Sequence, residues 1–136
     1  MLCVPELNVT LFMSDKELIL SIFKNIAWSL EQIMKRFQSI QSSEDFLMDD
    51  IGLEKLDSIC MQLINTGEAL KEIDKLTGGS LLLNNPAIDW KKANGLRDII
   101  THHYFDIDAE TVFVVCKERI PEMKKVIQQI VNDLER

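Results

Sequence analysis

Side chains that carry chemistry are scarce in this sequence. It has two histidines and one tyrosine. All three fall within Arg97-Asp98-Ile99-Ile100-Thr101-His102-His103-Tyr104, so any active site should centre on that stretch. Cysteine is sparse too. Cys3, Cys60 and Cys116 are odd in number and far apart, and no pair has metal-ligand spacing, which argues against a zinc site. Buried free thiols in a reducing cytoplasm are the simpler reading. Long apolar runs are missing, and none approaches the ~20 residues that span a bilayer. Met1–Met13 lacks a basic start and a cleavage site, so it does not read as a signal peptide. Positive charge is in deficit: 22 acids against 15 bases give −7. A chain so acidic should not cling nonspecifically to nucleic acid or to an anionic membrane. The deficit is uneven, with 13 acids and 7 bases in residues 1–85 but 9 and 8 in residues 86–136. The part that holds the histidines is nearly neutral and tolerates a phosphate.

What is present suits a soluble globular chain: 136 residues, 46% hydrophobic and 27% charged, enough for one domain with a real core. Residues 1–13, broken by Pro5, read as an irregular leader, and residues 14–136 as one helical domain. Ser14-Asp15-Lys16-Glu17 has the form of a capping box. After it Ile19, Ile22, Phe23, Ile26, Leu30, Ile33, Met34, Phe37 and Ile40 step by threes and fours into one apolar stripe. Leu18, Leu20 and Trp28 lie off that stripe, so this helix is expected to face two neighbours. A short helix anchored by Phe46 and Leu47 follows. Asp49 or Asp50 then caps a third helix along Leu53, Leu56, Cys60, Leu63, Gly67 and Leu70. Gly67 in mid-helix costs ~1 kcal/mol against alanine, and a close helix crossing is one reason to accept that. Gly78-Gly79 stops this helix.

Asp89 is the expected N-cap of a helix from Trp90 to about Thr101, and Asp108 starts another through Cys116. The run Val112-Phe113-Val114-Val115 has strand propensity, yet an isolated strand would have no partner, so helix is expected there. Pro121 fits the first turn of a last helix whose face is Met123, Val126, Ile127, Ile130 and Leu134. The fold class that follows is all-α, an antiparallel bundle of about five helices with short extra turns. Trp28 and Trp90 read as core or interface packing rather than base-stacking platforms. The acidic run Glu44, Asp45, Asp49, Asp50, Glu54 and Asp57 reads as a solvated face, or as a receiver for a basic partner.

Arg97 and His102 are five residues apart, which is ~140° around an ideal helix. A regular helix would not aim both at one point. Either the helix ends near Thr101 or the site borrows residues from a second chain, and a dimer could join two such stretches across a two-fold axis. An arginine fork suits a phosphate, and a histidine moves a proton near neutral pH. Together they suffice to cleave RNA without a metal, because the 2′-hydroxyl is an internal nucleophile. On spacing alone the structural reading is the better one: His102 and His103 cap helix carbonyls, and Arg97 pairs with a surface acid.

The surrounding pattern changes that balance. Ile88-Asp89-Trp90, then Gly95-Leu96-Arg97-Asp98, then Thr101-His102-His103-Tyr104-Phe105-Asp106-Ile107-Asp108 resembles the signature of the HepT-like toxins of the HEPN superfamily. Their pattern is Arg, a polar residue, three residues, His, one residue, Tyr, which here falls on Arg97, Asp98, His102 and Tyr104. Ser43-Glu44-Asp45-Phe46-Leu47, Gly67-Glu68-Ala69 and Ile120-Pro121 resemble further family segments. Many members carry asparagine where Asp98 stands; an aspartate would pair with Arg97 or repel the phosphate. His103 is a second candidate, with His102 preferred because Tyr104 follows it by two.

The resemblance implies a metal-independent endoribonuclease toxin acting as a cytoplasmic homodimer, with no cofactor. Arg97 would hold the scissile phosphate and His102 would act as general acid or base, with Asp98 and His103 as auxiliaries. It also implies a nucleotidyltransferase antitoxin that transfers AMP to the motif tyrosine, making Tyr104 an O-AMP-tyrosine. The alternative is a catalytically silent HEPN subunit that binds such a transferase as a structural or substrate-binding module.

Overall fold

The apolar stripes fold into long helices that pack side by side in an all-α bundle. The structure is a computed structural model and describes residues 15–136. The leader, Cys3 and Ser14 of the expected capping box lie outside the described residues. Among the described residues there is no strand, and no helix is long and apolar enough to cross a membrane.

Helix α1 (Asp15–Phe37) buries Ile22, Phe23, Ile26, Leu30 and Ile33. Each such side chain withdrawn from water contributes about 1.5–3 kcal/mol. Leu18 and Leu20, off the stripe, are half-buried against the same core, because α1 meets α2 on one side and α6 on the other. Trp28 remains exposed. The helix runs antiparallel to α6 (Ile120–Leu134): Lys24 pairs with Glu135 at 3.3 Å and Glu31 with Lys124.

A 3-10 turn, Ser43–Phe46, follows, with the Asp45 carboxylate accepting from the Gln41 amide at 2.8 Å. Phe46 is fully buried and anchors it as expected, but Leu47 points outward, 59% exposed. Of the two candidate caps for α2 (Asp50–Thr77), Asp49 does the work, accepting from the Gly52 amide at 2.8 Å. Leu53, expected in the stripe, is 41% exposed. The reason is local: Gly52 turns inward, so close to the preceding turn that a β-carbon there would stand 2.0 Å from the Asp45 carbonyl oxygen. Leu56, Cys60, Leu63, Gly67 and Leu70 are buried as expected, and Gly78, left-handed at φ 60°, ends the helix.

A four-residue helix α3 (Ser80–Leu83) leads to α4 (Trp90–His102). Asp89 caps α4 by accepting from the Lys92 amide at 3.0 Å. The Trp90 indole donates to the Asn85 carbonyl at 2.8 Å. A 3-10 turn, Tyr104–Asp106, follows, and Asp108 then caps α5 (Ala109–Val114). The valine-rich run is helical, with Val112 fully buried.

One boundary differs from expectation. There is no stop at Cys116; a π-helical turn, Val115–Arg119, carries α5 straight into α6. Pro121 explains the wide turn. It has no N–H to donate, and its ring crowds the carbonyl four residues back, at Lys117, so a loosened ladder relieves the strain.

Candidate functional site

The site lies where α4 and the turn after it cross α2. The contacts run in opposite order along the two helices: Arg97 meets Gly67 and Glu68, and Tyr104 meets Asp57. The pair is therefore antiparallel. Gly67 takes the crossing expected of it, and its missing side chain leaves room for the aliphatic stem of Arg97.

Arg97 is 9% exposed, an unusual position for a guanidinium. Nη1 pairs with Glu68 Oε1 at 2.5 Å, and Nη2 pairs with Asp98. Nε is buried without a partner among the described residues. Both carboxylates are half-exposed, so the tip of the fork reaches the surface through two ion pairs. Here the structural expectation for Arg97 is met, and twice over.

His102 is the last residue of α4 and is exposed; His103 is the cap that follows. Neither imidazole caps a carbonyl: the His103 backbone amide bonds the Ile99 carbonyl, and no side-chain bond to either ring occurs among the described residues. Because α4 stays helical through His102, Arg97 and His102 leave it ~140° apart. One faces α2 and the other faces solvent. The ion-pair partners of Arg97 are Glu68 and Asp98, not His102.

The Tyr104 hydroxyl donates to Asp57 Oδ1 of α2. Burial of the ring, and then the Asp57 carboxylate, hold this phenol above its ordinary pKa. Phe105 beside it is fully exposed, and Ile99 is 49% exposed. Cys60, below the same contact, is a buried thiol pushed up to about 12 by desolvation. Among the described residues no three His, Cys, Asp or Glu side chains gather as metal ligands would.

The family model described as ribonuclease HepT-like matches residues 26–130, which span α4, the turn after it and the stretch of α2 they cross. The chain belongs to the HepT-like family. It is 40% identical over 76 residues to the protein named Putative RNase MJ0125 of Methanocaldococcus jannaschii, covering 56% of this chain and 60% of that one. A second relative from the same organism, Putative RNase MJ1216, is 38% identical over 56% of this chain and 58% of its own length. The chain thus spans about 60% of the first of these relatives. Putative RNase MJ0127 is more distant, 26% identical, but the match covers 97% of this chain and 94% of that protein. No solved structure matches the chain. These likenesses mark it as a HepT-like protein of the HEPN superfamily.

Two residues that contact the Arg97–Tyr104 stretch escaped sequence reasoning. Asp57 sat in an acidic run that reads as a solvated face, and Glu68 was only part of a family-like segment. Both touch partners far along the chain, 47 and 29 residues away. The available signal was helical phase: positions 57, 60, 63–64 and 67–68 lie on one face of α2.

Proposed function

We propose that this HepT-like chain is a metal-independent endoribonuclease toxin whose site is composite, with Arg97 of one copy facing His102 of a second. The observation that carries this reading is the divergence of the two side chains along one continuous α4, with Arg97 held inward and His102 outward. A homodimer with two-fold symmetry resolves it, since each copy then supplies what the other lacks. The exposed Phe105 and Ile99 beside the motif favour a covered surface there.

In that arrangement the Arg97 fork leaves Glu68 and Asp98 for the scissile phosphate and neutralises charge as it builds. The 2′-hydroxyl attacks the phosphorus while the 5′-oxygen leaves. His102 exchanges the proton as general base or acid, with His103 as an auxiliary. The products are a 2′,3′-cyclic phosphate and a 5′-hydroxyl. A nucleotidyltransferase antitoxin neutralises the toxin by attaching AMP to Tyr104, setting a bulky anion where RNA phosphate must bind.

A second reading has one observation behind it. Two carboxylates already occupy the Arg97 fork, which favours a silent subunit that serves a transferase as a structural or substrate-binding module. Expression of wild type and His102→Ala side by side separates the two. Growth arrest with RNA breakdown in wild type alone supports the nuclease, whereas unimpaired growth and intact RNA in both supports the silent subunit.

A further inference from the structure

We propose that Asp57 is the general base for AMP attachment to Tyr104, supplied by the acceptor chain itself. The inference rests on the reading of Tyr104 as the acceptor. Its ground is the bond from the Tyr104 hydroxyl to Asp57 Oδ1. The packing that seats Arg97 on Gly67 also delivers this contact, so it belongs to the architecture of the site. Tyr104 is 36% exposed although its hydroxyl is held on α2.

A phenol with a pKa of ~10 is a poor nucleophile at neutral pH, and burial with the Asp57 contact moves this one further up. The resting nucleophile is therefore the neutral hydroxyl, and its proton must leave as it attacks. Asp57 already holds that proton in a hydrogen bond. The step balances as follows. The Tyr104 oxygen bonds the α-phosphorus of ATP, and its proton passes to Asp57. The bond from that phosphorus to the bridging oxygen breaks, and pyrophosphate leaves with the electron pair. Asp57 then returns the proton to water. The product oxygen can no longer donate, and its phosphodiester charge faces the Asp57 carboxylate. Like-charge repulsion then drives the Tyr104–Asp106 turn off α2.

The test uses wild type and Asp57→Asn with a nucleotidyltransferase antitoxin of the kind proposed above and magnesium ATP, followed by intact mass. Asparagine still accepts the hydrogen bond but cannot take the proton. Single-turnover transfer to Asp57→Asn should be slower by ~100-fold or more. The deficit should narrow as pH rises, because hydroxide replaces the carboxylate, and Asp57→Glu should recover part of the rate. Cys60 is the other titratable group that faces the phenol, and with a pKa of about 12 it stays neutral across the profile. Since Tyr104 is the sole tyrosine, ultraviolet titration reads its ionisation directly, and Asp57→Asn should lower its pKa towards the ordinary value. Transfer to Asp57→Asn at the wild-type rate overturns the inference and leaves Tyr104 as acceptor. A deficit equal at every pH overturns the base role, leaving Asp57 as a support for the turn. No transfer to wild type overturns both.

Discussion

Gly67 and Arg97 occupy a single crossing point. A β-carbon at position 67 would stand 2.6 Å from Cβ of Arg97, 2.8 Å from Cγ and 3.0 Å from Cδ. The first of those atoms is fixed to the α4 backbone and cannot swing aside, so the absence of a side chain on α2 sets where the fork of Arg97 ends.

Gly67→Ala should therefore push the two helices apart. Overpacking costs about 1–3 kcal/mol, against ~1 kcal/mol gained from alanine's helix preference. Urea unfolding should show a net loss, and RNA cleavage should fall further than stability does, because the fork is displaced. Gly95→Ala on α4 is the control. Its β-carbon would meet nothing within 4 Å, so the substitution should stabilise by up to ~1 kcal/mol and leave cleavage intact.

Asp98→Asn should strengthen RNA binding. It removes one of the two carboxylates paired with Arg97, and so frees the fork for the phosphate of the proposed reaction. The Asp98 side chain is 52% exposed, so the gain is that of a screened pair, ~2- to 5-fold in KM with little change in kcat. Steady-state cleavage of a labelled RNA checks it, and a weaker KM would make Asp98 a necessary brace for Arg97.

Alkaline pH should destabilise the fold through two buried thiols among the described residues. Cys60 and Cys116 are raised from an ordinary 9.0 to about 12, chiefly by desolvation. The folded values lie above the unfolded ones, so the unfolded chain gives up these protons first. The stability they contribute is complete below about 9 and is lost progressively as pH climbs to about 12. Melting temperature should fall over that window in wild type and fall less in Cys60→Ala, whose starting value is lower because of the cavity.

The frame of the bundle could be read from local pattern because local physics decides it. Asp89 and Asp108 stand one residue before helices whose orphan amides they accept, and the stripe of α1 repeats at helical spacing. Leu53 was misjudged because hydropathy ranks leucine above glycine, whereas the tight turn at Asp45 admits only Gly52. The π turn was missed because Pro121 signals a helix start as readily as a helix under strain. Within the site, His102 and Tyr104 stood out by scarcity, and Arg97 through the resemblance of the pattern around it. Asp57 and Glu68 did not, since chain folding alone turns ordinary surface acids into partners of a phenol and a guanidinium.

If Arg97 of one copy works with His102 of the other, two dead variants should restore activity when mixed. Arg97→Ala and His102→Ala should each lose cleavage by ~100-fold to ~10,000-fold while keeping their fold, and EDTA should not affect wild type. Unfolded and refolded together, they should form heterodimers in which one of the two sites is intact, restoring about a quarter of wild-type activity. A mixture as inactive as its parents would contradict the shared site, and a fully active His102→Ala would contradict the catalytic assignment itself.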